Sequence, residues 1–307
     1  MKVLITGGAG YLGTTLLPML LEDGHQVRIV DKFMWGVNPV LSYFSNPRVE
    51  IISGDVREAP VIEQALEGMD AVIHLAAIVG YPACSADEDL AISTNIKATE
   101  LLVKSMKPHQ KLIFASTGST YGKVEGICDE TTPINPLTVY GKSKFEGEKL
   151  MDQNGAVRLR LATVFGISPR MRLDLLVNDF CYKSIHDHLI VMFEGWHRRT
   201  FLHVKDAARA FVFALNHHDQ MSGEAYNVGS DSMNYTKKEV AEHIMAKQKF
   251  YLHEAEVGKD LDQRDYAVSY EKIKALGYKT TVSLDEGIEE LLKVCPLIKI
   301  ENPWRNH

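Results

Sequence analysis

The 307-residue chain carries 34 basic and 40 acidic side chains, a formal charge of −6, and 45% hydrophobic residues. That composition suits a globular protein of one large or two modest domains, and its acidic balance excludes an electrostatic footprint for nucleic acid. The four cysteines, Cys84, Cys128, Cys181 and Cys295, show no CxxC and no metal-ligand spacing, and no apolar run reaches the ~18 residues of a membrane span. A first strand starting at residue 2 leaves no room for a signal peptide, so a cytoplasmic protein with free thiols, no metal and no membrane partner is expected.

Val3-Leu4-Ile5 is a short apolar run, followed by Thr6-Gly7-Gly8-Ala9-Gly10-Tyr11-Leu12-Gly13 and then by Leu16, Leu17, Leu20 and Leu21 at helical spacing. This reads as buried strand, glycine-rich turn and amphipathic helix. Gly7, Gly10 and Gly13 permit a tight turn, a close backbone approach to a pyrophosphate and close helix–strand packing, while the helix N-terminus attracts the anion. A second strand over 27–30 ends in Asp31, about 20 residues on, where a carboxylate accepts hydrogen bonds from an adenosine ribose and repels a 2′-phosphate. NAD is therefore favoured over NADP, with Lys32 the one neighbour acting against that preference.

Further strands are expected at 49–52, 71–75, 111–115 and 158–161, with helices at 60–66 and 87–106. The alternation predicts an α/β fold with a doubly wound parallel sheet over residues 1–166. Beyond Gly166 the rhythm breaks. A basic loop, Ser168-Pro169-Arg170-Met171-Arg172, precedes a helix at 173–182, and strands at 201–204 and 225–228 flank a helix at 206–215. Thr236/Glu239 and Ser283/Glu286 are capping boxes that start two more helices, and Gly277 reads as a helix C-cap. Residues 167–199 and 231–307 are assigned to a smaller mixed C-terminal lobe, with 200–230 returning to the sheet domain, and a substrate would lie in the cleft between.

Two features follow successive strands on the carboxyl side, where open α/β sheets bind ligands. One is the hydroxyl-rich loop Ser116-Thr117-Gly118-Ser119-Thr120. The other is Tyr140-Gly141-Lys142-Ser143-Lys144, which opens a helix and sets Tyr140 and Lys144 on one face. A lysine ammonium beside a phenol stabilises the phenolate, and the phenolate can take a proton from a sugar hydroxyl while hydride leaves the same carbon. Alone, the YxxxK pattern is common on solvated helices; combined with the glycine loop and Asp31 it points to dehydrogenase chemistry.

The chain resembles the extended short-chain dehydrogenase/reductase family, the NAD-dependent nucleotide-sugar epimerases and dehydratases. The TGGAGYLG loop, Asp31, Gly54-Asp55-Val56, His74-Leu75-Ala76-Ala77, Asn95, Ser116-Thr117 with Tyr121-Gly122, Tyr140-x-x-x-Lys144 and Arg199-Thr200-Phe201-Leu202-His203-Val204 carry the resemblance over nearly the whole chain. It implies a Rossmann domain with a substrate lobe, and a homodimer acting on a nucleotide-diphosphate sugar. It also implies that Asp55 and Val56 border the adenine, that Leu75, Ala76, Ala77 and Ala162 back the cofactor, and that Asn95 and Ser116 lie near it. Thr117, Tyr140 and Lys144 match the catalytic set; Tyr140 would be the base, Tyr140 and Lys144 would also touch the cofactor, and Thr117 the substrate. Val79, Tyr81, Gly118, Ser119, Thr163, Asn178, Arg199 and Arg264 fall where the family meets substrate, the arginines suiting a diphosphate.

Gly118 and Ser119 replace the acidic residues that follow the catalytic threonine in 4,6-dehydratases, which disfavours dehydration. The run from Arg160 to Phe180 looks like a branch that oxidises GDP-linked mannoheptose at C4 for bacterial surface polysaccharide, and Thr163 stands where UDP-galactose 4-epimerases commonly hold Asn. C4 oxidation of a GDP-heptose is the leading expectation, a UDP-glucose/UDP-galactose-type 4-epimerase the alternative, and a non-catalytic NAD-binding protein the third. His186, His188, His217 and His218 are expected as solvated surface histidines, and His203 as a satisfied structural one. Phe33, Trp35, Tyr43 and Phe44 would either wall the adenine side or pack the core.

Overall fold

The computed structural model describes residues 1–124, 126–151, 154–256 and 267–299. Seven strands form one sheet in the spatial order Ala225–Val228, Val157–Leu161, Lys111–Thr117, Ala71–His74, Lys2–Thr6, Gln26–Asp31, Val49–Ser53, and every pairing is parallel. Such a sheet must be covered on both faces, which is why its central strands, Lys2–Thr6 and Ala71–His74, carry near-continuous apolar runs. Val3 and Ile5 point to one face and pack with Leu16, Leu17, Leu20, Ala207 and Phe211. Leu4, one residue out of phase, packs on the opposite face with Ile62, Leu66, Leu102 and Phe114. The period-2 alternation thus builds two cores from one strand.

Chain order reverses between the Lys2–Thr6 and Ala71–His74 strands. The crevice at their carboxyl ends lies between the glycine-rich turn and residues 75–77, the topological position for a ligand.

Past residue 161 the chain leaves the sheet. Thr163–Phe165, Arg198–His203 and Asn234–Thr236 make a three-stranded sheet, and Leu189–Phe193 pairs in parallel with Tyr251–Ala255. With the helices Leu176–His186, Lys237–Met245 and Leu284–Val294 they enclose a separate core of Phe165, Val177, Phe180, Phe201, Val240, Ile288 and Leu291. Both capping boxes form, at Thr236/Glu239 and Ser283/Glu286. The helix Val204–Asn216 then lies on the helix Tyr11–Glu22, and Ala225–Val228 closes the far edge of the main sheet. No described helix is long and apolar enough to cross a membrane.

Several expected elements differ. The helix expected over 87–106 is three pieces, Glu88–Ile92, a π-helical turn Ser93–Lys97 and Ala98–Ser105. The wider turn swings the buried Asn95 inward, and π-turns of this kind concentrate at functional sites. The helix expected at 173–182 starts at Leu176, because Asp174 is held by Arg172 through a two-point ion pair of 3.1 and 2.6 Å. His218 is not a surface histidine: it is buried, and its Nε2 makes no hydrogen bond. His203 is not fully satisfied either. Its Nδ1 accepts from the Lys205 amide at 3.3 Å, whereas Nε2 stands 3.4 Å from the Glu290 carboxylate without hydrogen-bond geometry. Close packing against Gly166, Gly287 and the edge of Phe165 fixes its ring there.

Candidate active site

The glycine-rich turn is built by close approach. Gly7 has φ +71°, and a Cβ there would lie 2.8 Å from the Ala76 amide nitrogen; a Cβ on Gly13 would lie 2.6 Å from the Gly8 carbonyl. Gly10 starts the Tyr11–Glu22 helix without a side-chain cap and no acidic residue stands in the first turn, so the helix presents backbone N–H groups and its positive end to the crevice. The size and polarity of this cradle suit a pyrophosphate; Gly7, Gly10, Tyr11, Leu12 and Gly13 all lie on the turn and the first turn of the helix that form it.

Asp31 ends its strand at the same crevice. Its carboxylate accepts from the Ala9 amide at 3.0 Å and from the Phe33 amide at 2.7 Å, which pins the glycine turn to the next strand. Burial raises the Asp31 pKa despite those bonds. Lys32 turns away and pairs with Asp55 at 3.0 Å, joined there by Arg57 at 2.6 Å. The Arg57 guanidinium holds the Asp55 carboxyl well below the usual carboxylate range. Val56 is buried beside it. Of the four aromatics, Phe33 and Tyr43 pack against the core, whereas Trp35 and Phe44 are exposed.

A directed hydrogen-bond chain ties the crevice floor together. The Thr99 hydroxyl donates to the Asn95 carbonyl at 2.8 Å, so it accepts from His74 Nε2 at 3.0 Å. His74 Nδ1 therefore accepts from the Thr6 hydroxyl at 2.6 Å, and that same oxygen accepts from the Ala76 amide at 3.2 Å. Complete burial depresses the His74 pKa to about 3, in keeping with a neutral ring.

Asn95 clamps the loop that carries Leu75, Ala76, Ala77 and Val79. Its Oδ1 accepts from the Ile78 amide at 2.8 Å, and its Nδ2 donates to the Ile78 carbonyl and to the Ser143 hydroxyl, both at 3.0 Å. Ser143 donates in turn to the Tyr140 carbonyl at 2.9 Å. Asn95 thus orients the helix of Tyr140 and Lys144 relative to the crevice. Tyr81, half-buried, opens the short helix Tyr81–Ala86 at the end of that loop.

Thr138 caps the Val139–Leu150 helix through the Gly141 amide at 3.1 Å, setting Tyr140 in the first turn and Lys144 one turn on. Lys144 is buried, with Nζ 4.0 Å from the centre of the Phe114 ring. Desolvation lowers its pKa to about 7, opposed by Glu148 and Cys84. Thr117 and Ser119 are buried at the end of the neighbouring strand, the Ser119 amide and the Thr117 hydroxyl 3.2 Å apart, with Gly118 between. The helix of Tyr140 and Lys144 packs on the loop that follows Thr117, where a Cβ on Gly141 would lie 2.7 Å from the Ser119 carbonyl; a phenol, an amine and a threonine hydroxyl are the set needed to move a proton on and off a carbinol oxygen.

Behind it lies a network that sequence reasoning missed. Glu148, one turn beyond Lys144, receives the Ser116 hydroxyl and pairs with Arg160 through contacts of 3.0 and 2.7 Å. Arg160 also donates to the Tyr121 hydroxyl at 2.9 Å, which donates to Asn227 at 2.7 Å. The YxxxKxxxE spacing was the signal that could have revealed Glu148.

The remaining residues are spread. Ala162 donates to the Val228 carbonyl at 2.9 Å where the chain leaves the sheet, and Thr163 pairs with Phe201. Asn178 is fully buried: it accepts from the Gly166 amide at 2.9 Å and donates to the Arg172 carbonyl at 2.8 Å, bracing that loop. Arg199 is buried opposite Tyr235 in the smaller lobe, and Arg264 lies outside the described residues.

Residues 3–229 match the family model described as the NAD dependent epimerase/dehydratase family. The chain belongs to that family. It is 31% identical over 247 residues to an uncharacterized UDP-glucose epimerase of Bacillus subtilis, covering 75% of this chain and 77% of that protein. It is 29% identical over 268 residues to a UDP-glucose 4-epimerase of Corynebacterium glutamicum, covering 79% of each. Among solved structures, the UDP-glucuronic acid 4-epimerase of Bacillus cereus in complex with NAD superposes with a TM-score of 0.85 at 26% identity, covering 97% of each chain. Membership makes the protein an NAD-dependent nucleotide-sugar enzyme of the extended short-chain dehydrogenase/reductase type and accounts for the phosphate cradle and Asp31 together.

Proposed function

We propose that the protein is a nucleotide-sugar 4-epimerase acting on a UDP-hexose-class substrate. The observation that carries this reading is the buried Lys144 one helical turn from Tyr140, on a helix packed against the loop Gly118-Ser119 that follows Thr117. That set moves a proton at one carbinol and holds no acid–base pair for eliminating water. The similarity to UDP-sugar 4-epimerases favours epimerisation over the GDP-mannoheptose oxidation expected from residues 160–180.

When bound, NAD supplies the hydride acceptor for C4. Tyr140 takes the C4 hydroxyl proton, Lys144 favours the phenolate, and Thr117 holds the reacting oxygen. Were hydride returned to the other face of the resulting 4-keto sugar, with Tyr140 giving its proton back to the C4 oxygen, C4 would be inverted. Asn95 holds this apparatus in place. Arg199, Thr163, Tyr81 and the loop braced by Asn178 are assigned to the nucleotide sugar, with a homodimer, cytoplasmic location and a polysaccharide pathway following the family pattern. Net C4 oxidation of a GDP-heptose is the second reading, favoured by Thr163 in place of the Asn of ordinary UDP-galactose 4-epimerases.

Anaerobic incubation with UDP-, GDP-, dTDP- and CDP-sugars tests this, reading near-ultraviolet NADH absorbance and the sugar by NMR. Inversion at C4 of a UDP-sugar without net NADH is expected. Stoichiometric NADH with a 4-keto GDP-sugar would establish the second reading, and silence from every sugar despite NAD binding would leave a non-catalytic binder.

A further inference from the structure

The loop that opens the smaller lobe, residues 166–174, is fastened to the cofactor helix through Tyr11. The buried Tyr11 phenol donates to the Gly166 carbonyl at 2.7 Å and accepts from Asn178 Nδ2 at 3.4 Å. The Tyr11 main chain is held from the same loop: the Ser168 hydroxyl donates to its carbonyl at 2.6 Å, with the Thr14 hydroxyl 2.9 Å from that of Ser168. Gly166 has φ +111°, and a Cβ there would collide with the His203 ring, so the loop has little freedom at this point. Asn178 carries the linkage onward, accepting from the Gly166 amide at 2.9 Å and donating to the Arg172 carbonyl at 2.8 Å. The Arg172 guanidinium is paired with Asp174, and a Cβ on Gly80 would lie 3.9 Å from it. The loop therefore spans the crevice, from the cofactor helix to the end of the segment that carries Leu75, Ala76, Ala77 and Val79.

We propose that the Tyr11 hydroxyl is a positioning group for substrate: it sets the 166–174 loop across the crevice in the place where that loop meets the nucleotide sugar. The inference rests on the reading of this loop as part of the nucleotide-sugar site. Tyr11 serves two sites at once, its backbone belonging to the phosphate cradle and its hydroxyl to the loop. Burial raises the phenol's pKa, so the group stays a neutral donor wherever the enzyme is assayed. A phenylalanine in its place would fill the same space and keep the cradle. It would leave the Gly166 carbonyl with only the long Asn178 contact of 3.4 Å, and a buried carbonyl short of its donor moves to find another. The loop would shift with it, and binding in the crevice would weaken.

A matched control exists, because the buried Tyr278 makes the same bond elsewhere, donating to the Asp206 carbonyl at 2.7 Å. The test compares Y11F with Y278F in the full-length, NAD-loaded protein. Each is titrated calorimetrically with UDP-galactose, GDP-mannose, dTDP-glucose and CDP-glucose, and kcat is measured on whichever is turned over. Y11F should bind the nucleotide sugar about tenfold more weakly than the native protein, a larger loss than in its NAD affinity or its kcat, and by the same factor from neutral to mildly alkaline pH. Y278F should bind it natively, even where its melting temperature falls as far as that of Y11F. S168A frees the same loop at its other fastening and should weaken binding by about threefold, which keeps the test available should Y11F not purify. Binding within twofold of native in Y11F, or in S168A where it stands alone, would overturn the proposal. Equal weakening in Y278F, or a loss of NAD affinity as large as that for the sugar, would do the same. Failure of the native protein to bind any of the four would overturn the nucleotide-sugar reading together with this one, whereas native binding with an unaltered Y11F counts against Tyr11 alone.

Discussion

Glu148 and Arg160 face each other in a two-point ion pair whose side chains are only 3% and 7% exposed. The pair joins the Tyr140 helix to the strand that leaves the sheet, and Ser116 joins it to the strand of Thr117. Removing one partner leaves a buried charge without compensation. Glu148→Gln should therefore lower unfolding free energy by about 3–5 kcal/mol in urea denaturation, whereas replacing both residues by apolar ones should cost much less.

Lys144 carries a burial penalty that catalysis needs. Its folded pKa of about 7 lies below the unfolded value near 10.5, so between these values the unfolded chain binds more protons and stability rises with pH. Lys144→Met should raise the unfolding free energy of cofactor-free protein at pH 7 by on the order of a few kcal/mol and flatten that alkaline gain. The same variant should lose turnover.

Tyr140→Phe and Thr117→Val test the proton apparatus. Each should reduce turnover by roughly 10²–10⁴-fold. Titration with NAD should still show binding in both, since neither change touches the glycine cradle or Asp31.

His74 makes the fold acid-sensitive. Its folded pKa of about 3 lies below the ordinary value of 6.5, so its contribution is present above pH 6.5 and is lost as pH falls towards 3. Protonation would also put an N–H on Nδ1 against the Thr6 hydroxyl, which donates to that nitrogen in the neutral ring and would have to turn away. Denaturation curves between pH 7 and 4 should show this loss, and His74→Gln should reduce the slope.

Gly7→Ala should abolish NAD binding in calorimetry. A methyl at φ +71° would sit 2.8 Å from the Ala76 nitrogen, and relief would have to move the cradle itself.

The parallel sheet was legible because Val3 to Ile5 and Ala71 to Ile73 are apolar on both faces, and because short apolar strands alternate with helices along residues 1–166. The glycine turn was legible because the positive φ of Gly7 and the close approach of Gly13 to Gly8 are limits set within the turn itself. Asn95 illustrates the boundary. Its residue type could be marked, but its two-way clamp on Ile78 depends on a π-turn that helical periodicity does not show. Tyr11 could be read only as a member of the cofactor turn. Its partner Gly166 lies 155 positions later, and only the meeting of two lobes brings that pair together. The Glu148–Arg160 network was hidden likewise, because charged residues in sequence look solvated until their burial is known.

The last strand of the main sheet, Ala225–Val228, is supplied after the chain has passed through much of the smaller lobe. An N-terminal fragment ending near residue 166 would lack that strand and the Val204–Asn216 helix that covers Leu16, Leu17 and Leu20. On the ribosome, the cofactor domain therefore cannot finish folding until residue 228 has emerged, and the intervening segment must stay out of the way in the meantime. Premature termination anywhere in that interval would release a chain with an open sheet edge and a bare apolar helix, a substrate for chaperones and proteases and not a working half-enzyme.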